Sequence, residues 1–468
     1  MRNMTDTLPR VGILGIMQPL YDDMIPGITE HQAAYARRVA ESLDGVAECV
    51  TGAPVRGRDD AERVVREFED ADLDGVLVVM LTYGPSLRVT RVFHELRLPV
   101  CLANIQPDPA VTPEWDMDDM TYNQGIHGAQ DTANAMVRAG VPFEVITEEW
   151  PSEVFRQRVG RWARGARAAT AWKRLRVGVF GYAMNGMGDA RFDETALMRA
   201  LGPEVVAIAP GALRRTMDEL PTSEVSALMR WEDERFEVDG RLSEKEREDH
   251  ARMQLGIERL LTEHGCRAYS THFDAIGEDG RFDRLPMAAA SSLMAKGYGF
   301  AGEGDVLAAA MVHAGHQLAG DGHFTEMYAM DYPSDSLLMS HMGEGNWRVA
   351  RDDEPVRLIK RPLAIGNLDD PPTLLFRIKP GRATLASLVA LGGERFRMVV
   401  AEGEVLDSQR LPALEMPYGQ FRPDSGIRGC MDAWLRNGGT HHIVMNLGSL
   451  AADWRVFCEL TGIEFVQV

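Results

Sequence analysis

The chain lacks most of what would tie it to a membrane, a nucleic acid or an oxidising compartment. No apolar run approaches the roughly 20 residues that a membrane-spanning helix needs. Only five cysteines occur among 468 residues, Cys49, Cys101, Cys266, Cys430 and Cys458. They are odd in number, scattered and never spaced as CxxC, which excludes a disulfide framework and a thiolate zinc site and fits buried free thiols in a reducing cytoplasm. Basic residues are in deficit, 50 Lys and Arg against 70 Asp and Glu, for a net charge of −20. A phosphate-backbone partner needs clustered cations to displace counterions, so no nucleic acid is expected, and the negative charge is read as solubility. The first residues, MRNMTDTLPRVGILGI, hold too short an apolar run for a signal peptide and pass directly into a strand pattern, so the expected location is cytoplasmic. No GxGxxG follows that strand, and a dinucleotide fold is unsupported.

What is present is the composition of a soluble globular protein, 45% hydrophobic and 26% charged, at a length that suggests about three domains. From Arg10 short β-rich runs alternate with helix-period segments, as in RVGILGIMQ, EHQAAYARRVAESL, GVAECV, DDAERVVREFEDA and DGVLVVM. Apolar strands separated by amphipathic helices predict a parallel sheet covered on both faces. Ligands of such sheets gather at the carboxyl ends of the strands. The loops there carry Gln18 and Tyr21, then Tyr83, then Asn123, Gln124 and His127. Residues Glu153 to Arg176 read as a long basic helix acting as a solvated connector. A second alternating block starts at Arg176 and runs to the helix pattern LPMAAASSLMAKGY; within it, Met217 to Arg241 is charged and gives no sharp reading. After Trp347 closely spaced β-rich runs, VRLIKRPLAI, TLLFRIKPG, ATLASLVALGG and RFRMVVAEGEVLD, predict an antiparallel barrel or sandwich. One helical segment, LAADWRVFCELTG, and a strand, IEFVQV, close the chain. The expected fold is α/β: two doubly wound parallel-sheet domains, residues 1–171 and 172–325, followed by a C-terminal antiparallel β-barrel over 326–468 with a closing helix.

Acid, imidazole and glycine concentrate between Gly297 and Gly345. Glu303 stands between two glycines ahead of the alanine-rich run Asp305 to Leu318, which predicts a carboxylate at a helix N-terminus, kept ionised by backbone N–H groups. Glu326 follows in a short strand-like segment, and His341 closes a second. A further imidazole lies far downstream, in Gly438-Gly-Thr-His-His-Ile-Val-Met. Two carboxylates with imidazoles make a mixed, fairly hard donor set that suits Mn²⁺, Mg²⁺ or Co²⁺. Without a short i, i+4 signature, spacing alone leaves this metal reading open beside the plain one of unrelated polar residues. For Glu303 the plain reading is a helix cap; for Glu326 and His341 it is a satisfied polar pair on adjacent strands. His94, His264 and His313 fall in helical patterns and read as structural.

Four segments in order resemble the L-arabinose isomerase family, within the wider group that includes L-fucose isomerase. They are Trp115-Asp-Met-Asp-Asp-Met-Thr-Tyr-Asn-Gln-Gly-Ile-His-Gly, Lys296-Gly-Tyr-Gly-Phe-Ala-Gly-Glu-Gly-Asp, the pair Phe324-Thr-Glu and Ser340-His-Met-Gly-Glu, and Gly438-Gly-Thr-His-His. The resemblance implies an aldose–ketose isomerase that uses a divalent metal, usually Mn²⁺, on a free sugar, with L-arabinose to L-ribulose as the first expectation. Carried over position by position, the metal ligands are Glu303, Glu326, His341 and His442. Moving a carbonyl from C1 to C2 requires a proton removed from one carbon and returned to the next, and on that chemistry Glu303 and Glu326 are expected as the base and acid of an enediol route. His441 would lie against the sugar, with Gln18, Tyr83, His127, Met184 and Phe273 lining the pocket. Successive strand residues face opposite ways, which favours one ligand from the histidine doublet. The residue equivalent to His127 comes in that family from a neighbouring subunit, so a homo-oligomer, a hexamer or other trimer-based assembly with a shared pocket, is implied.

The chain departs from the family pattern beside these positions. Gln-His-Leu-Tyr-Gly becomes Gln18-Pro-Leu-Tyr-Asp, Arg-Glu after His127-Gly becomes Gln130-Asp131, and Glu-Asp-Tyr-Thr-Tyr-His becomes Glu326-Met-Tyr-Ala-Met-Asp. The candidate ligands are intact while the surroundings differ, so a different sugar (another pentose, a 6-deoxyhexose or an acidic derivative) stays open as an alternative. A non-catalytic sugar-binding homologue is the other alternative, since two tandem α/β domains also describe binding folds.

Overall fold

The apolar β-branched runs of the first third become the strands of one parallel sheet: β1 (Arg10–Ile16), β2 (Glu48–Thr51), β3 (Gly75–Met80), β4 (Val100–Asn104) and β5 (Glu144–Thr147), in the order β2-β1-β3-β4-β5. The structure is a computed structural model that describes residues 7–277, 279–363, 365 and 368–468. The first six residues of the segment read for a leader lie outside these, as does Ala364 in the run VRLIKRPLAI. The chain divides into two compact units, Thr7–Ala171 and a second that begins at Trp172.

In the Thr7–Ala171 unit all strand pairings are parallel. β3 is buried along its whole length, as a central strand covered on two faces must be. The helix Glu153–Lys173 corrects the reading of a solvated connector. Its Phe155, Val159, Trp162, Ala163 and Ala166 are buried, the Trp162 ring lies against Gly75, and Thr170 Oγ1 donates to Asp74 O. The arginines that suggested a solvated rod occupy only one side of a helix whose other side belongs to the core.

The second unit opens with another parallel sheet. Its strands are β6 (Arg176–Phe180), β7 (Glu204–Ile208), β9 (Ala268–Thr271) and β10 (Gly299–Ala301), in the order β10-β9-β6-β7; the short β8 (Glu237–Val238) joins a different sheet. The stretch without a sharp sequence reading, Met217 to Arg241, holds the end of the helix Pro210–Asp218, the whole helix Thr222–Arg235 and β8. Both helices pack beside Glu244–Glu263, whose N-terminus carries a reciprocal Ser243/Glu246 capping box.

Beyond it, β11 (His323–Asp331), β12 (Ser336–Ser340), β15 (Gly381–Ala390), β16 (Phe396–Val405), β17 (Tyr418–Pro423) and β18 (His442–Leu447) close into a six-stranded antiparallel barrel, with β19 (Glu464–Gln467) added parallel to β16. The expectation that every β-rich run after Trp347 joins the barrel fails for two of them. β13 (Arg357–Lys360) and β14 (Pro372–Leu375) pair with β8 in a separate three-stranded sheet, because Leu358 and Leu374 are drawn into a cluster with Phe236 and Leu242. A helix at Gly426–Arg436 was also not anticipated; its Ile427, Cys430 and Trp434 fill the barrel's core. Cys49 is half-buried, the other four cysteines are buried, and all five are free. Among the described residues no helix is long and apolar enough to cross a membrane.

The helix Val306–Ala319 links sheet and barrel. It is buried on almost every side, as its uniformly apolar sequence requires. It approaches β10 so closely that a Cβ on Gly299 would stand 2.1 Å from Ala309 O.

Replacing Trp162 by Ala is expected to lower unfolding stability by about 3–5 kcal/mol, as for other fully buried tryptophans. A change within about 0.5 kcal/mol in a denaturant melt, the behaviour of a solvated residue, would contradict the packing described for that helix.

Candidate active site

Cross-strand register assembles the centre. Glu326 on β11 stands opposite His442 on β18 and, on its other side, opposite Ser340 at the end of β12; His341 is the next residue. The fourth group, Glu303, arrives from the turn between β10 and the helix Val306–Ala319. Glu303 does not cap that helix: Asp305 does, accepting from Ala308 N at 3.0 Å through Oδ1. Glu303 instead holds φ at +54°, a conformation uncommon outside glycine that persists where its surroundings impose it. The next residue must be glycine, because a Cβ on Gly304 would lie 2.4 Å from Ala183 Cα. The backbone of the loop after β6 is fixed to the same turn by Met184 N donating to Glu303 O at 2.8 Å.

These elements bring the candidate ligands together. Ligand atoms of Glu303, His341 and His442 lie within 4.8 Å of one another, and so do those of Glu326, His441 and His442. His442 Nε2 is 2.8 Å from Glu303 Oε2 and 3.4 Å from Glu326 Oε1. The other nitrogen of each buried imidazole is engaged by a carboxylate, His442 Nδ1 with Asp305 Oδ2 at 2.9 Å and His341 Nδ1 with Glu344 Oε2 at 2.7 Å. Such partners fix the tautomer with hydrogen on Nδ1, leave the Nε2 lone pair free and stop the ring from turning.

Glu303 Oε2 and His442 Nε2 are both buried, 2.8 Å apart, and the described residues give neither atom a well-aligned hydrogen bond. With Nδ1 of His442 donating to Asp305, two lone-pair atoms face each other at 2.8 Å, which is repulsive unless a positive charge lies between them. Donor atoms at right angles about 2.1 Å from one ion would be roughly 3 Å apart. The residues therefore fit a divalent cation, and the oxygen-and-imidazole donor set is the kind that Mn²⁺, Mg²⁺ or Co²⁺ accepts. In the bare chain the same positive charge can come from protons. Burial pushes the His341 and His442 pKa values down, but Glu344 beside the one, and Asp305, Glu303 and Glu326 beside the other, outweigh it and raise both. Burial would likewise raise the Glu303 and Glu326 carboxyls, yet the neighbouring imidazoles hold both below their ordinary value.

The remaining sequence-predicted residues fall into two groups. In the unit that holds the centre, the His441 ring stacks on His442 with centroids 4.1 Å apart, and its Nε2 is 3.7 Å from Glu326 Oε1. Met184 sits in the tethered loop, and Phe273 is half-buried with its ring edge-on to His272. Gln18, Tyr83 and His127 belong to the Thr7–Ala171 unit, where they gather at the carboxyl end of the sheet. Gln18 N donates to Thr82 Oγ1 at 3.3 Å, Tyr83 OH to Asp131 Oδ2 at 3.4 Å, and His127 is exposed in the first turn of the helix Gly125–Ala139.

Sequence reasoning missed Asp305, Glu344, Tyr328 and Asp189. For the first two a signal existed, a carboxylate two residues after Glu303 and another three after His341. Tyr328, at the bulge next to Glu326, is held protonated by burial and by that carboxylate. Asp189 meets His441 only through the fold.

Two carboxylates beside fixed imidazoles, in a centre only partly open to solvent, can take and return a proton on a small substrate, the kind of chemistry that acid–base enzymes perform. Family models described as the L-arabinose isomerase N-terminal, central and C-terminal domains match residues 13–174, 176–321 and 321–464. A protein named L-arabinose isomerase from Erwinia tasmaniensis is 31% identical over 88% of this chain and 84% of its own length, and another of that name from Shouchella clausii is 30% identical over 96% and 93%. The chain belongs to the L-arabinose isomerase family and is an aldose–ketose isomerase. A solved solute-binding protein of an ABC transporter from Burkholderia multivorans matches 59% of this chain and 85% of its own at 11% identity, with a TM-score of 0.17, too low to bear on fold or function.

Replacing Glu344 by Gln or Asp305 by Asn is expected to weaken Mn²⁺ binding by about 10- to 100-fold in calorimetric titration, the usual cost of losing a carboxylate behind a metal-ligating histidine. Unchanged affinity in both variants would mean that these carboxylates do not orient ligands.

Proposed function

We propose that the chain converts L-arabinose to L-ribulose at a divalent-cation centre held by Glu303, Glu326, His341 and His442, with Mn²⁺ as the preferred ion. The observation that carries this reading is the pair of buried donor atoms on Glu303 and His442, 2.8 Å apart without hydrogen-bond alignment, with Glu326 alongside. A cation bound there supplies electrostatic stabilisation for negative charge on the sugar's first two oxygens. The chain's own residues do the rest. Glu303 and Glu326, both ionised at rest because their imidazole neighbours lower their pKa values, carry the two protons of an enediol route. One takes the proton from C2 and returns it to C1, while the other takes the hydroxyl proton of O2 and returns it to O1. Asp305 and Glu344 keep the two buried imidazoles from turning. His441, part-exposed beside Glu326, faces the sugar.

A neutral sugar is favoured over an acidic derivative, because a second anion would enter a centre already lined by Glu303, Glu326 and Asp189. Another neutral aldose is the second reading. It draws support from Pro19 and Gln130, which replace family residues near the pocket positions, and from Asp131, whose carboxylate accepts from Ser86 N at 3.0 Å and Ser86 Oγ at 2.8 Å and so fixes the loop carrying Tyr83. We also propose a trimer-based homo-oligomer in which His127 is offered to a neighbouring copy; exposed Leu20, Met24, Met117, Met120 and Ile126 in the same unit support such a surface. Activity in the cytoplasm belongs to the same proposal.

Metal-stripped protein reloaded with Mn²⁺ is expected to form ketose from L-arabinose, with label from C2-deuterated sugar exchanging into water. Complete retention of deuterium in the product would replace proton transfer by a hydride shift. Absence of ketose from every neutral aldose offered would overturn the assignment.

A further inference from the structure

The loop after β6 places one carboxylate on the far side of His441 from the proposed ligands. Asp189 Oδ2 lies 2.6 Å from His441 Nδ1 and 3.1 Å from the backbone N of the same residue, across 252 positions of sequence. One carboxylate oxygen thus accepts both N–H groups and fixes the ring and its backbone together. The loop is itself anchored. Arg191 Nη2 donates to the carbonyls of Ala183 at 3.0 Å and Met184 at 2.9 Å, and Met184 N donates to Glu303 O. Asp189 is therefore held in register with the turn that presents Glu303.

A carboxylate that accepts from Nδ1 decides which nitrogen of an imidazole carries hydrogen. In water a free imidazole favours hydrogen on Nε2; here the hydrogen belongs on Nδ1, and Nε2 becomes an acceptor. That nitrogen is 3.7 Å from Glu326 Oε1, a separation too long for a hydrogen bond, and the ring lies against that of His442 with centroids 4.1 Å apart. An acceptor so placed takes a hydrogen bond from a sugar hydroxyl next to the position where Glu326 works.

We propose that Asp189 is a positioning residue of the isomerase centre, holding His441 as the Nδ1–H tautomer so that Nε2 receives a substrate hydroxyl. The inference rests on the functional reading given above. Asp189 does not touch the reacting carbons; it acts through His441.

The test uses the full-length protein labelled with ¹⁵N-histidine, in which the His441 ring is identified by the signals lost in His441→Asn. In the wild type, two-bond ¹H–¹⁵N correlations should show the Nδ1–H tautomer. Asp189→Leu should move that ring to the Nε2–H form and lower kcat by about 10- to 100-fold, the cost of one hydrogen bond to a charged group, with a smaller change in KM. Asp189→Glu, which restores an acceptor on a longer arm, should recover part of both. If Asp189→Leu keeps the Nδ1–H tautomer, or loses thermal stability while kcat is unchanged, Asp189 is a plain loop tether and the inference falls. The tautomer is read without substrate, so a wild type that isomerises no aldose overturns the functional reading while the role of Asp189 is still decided by the spectrum.

Discussion

Asp305 does two things with one carboxylate. Its Oδ1 caps the helix Val306–Ala319 and its Oδ2 holds His442 Nδ1. The helix starts at the end of the parallel sheet, and His442 opens a barrel strand, so the pairing fixes the sheet's last turn against the barrel wall. Both groups are buried, and a charged acceptor removed from water must keep its donors. The position of Glu303, two residues earlier and at positive φ, follows from the same constraint. So does the direction of His442 Nε2, which points at Glu303 because its other nitrogen is taken.

From that fixed point the barrel supplies the rest through register. An antiparallel pairing of β11 with β18 and with β12 sets Glu326 between His442 and the residue ahead of His341. A slip of one residue would turn these side chains to the opposite face, and the buried Phe324, Thr325, Ile443 and Val444 beside them resist it. The functional groups are thus located by the packing of their apolar neighbours. This explains how ligand candidates separated by well over a hundred residues can meet within a few ångströms, and why the centre needs sheet, helix and barrel at once.

The parallel sheets were legible because strands such as Gly75–Met80 are apolar throughout and alternate with strongly amphipathic helices. The barrel was legible as a class from short β-rich runs, but not which runs belong to it. Leu358 and Leu374 alternate as well as any barrel strand, and only the cluster around Phe236 and Leu242 diverts them. The helix Glu153–Lys173 was misjudged because its many arginines drew attention from the buried Phe155, Val159 and Trp162. In the centre, the residue types and their local motifs identified Glu303, Glu326, His341 and His442 as candidates. Their supporting carboxylates were harder to see: Glu344 lies one helical-type spacing from His341, whereas Asp305 is tied to His442 across 137 residues and Asp189 to His441 across 252. Pairings of that range have no periodicity to betray them and follow only from the finished fold.

In the function we propose, Glu303, Glu326, His341 and His442 share one divalent cation. Crystals of the protein grown with Mn²⁺ and measured on both sides of the manganese absorption edge test it most directly. A shared cation gives a single strong anomalous peak per chain enclosed by those four side chains, within bonding distance of His442 Nε2 and Glu303 Oε2. A peak elsewhere, or none at saturating Mn²⁺ with these side chains still converged, would contradict it.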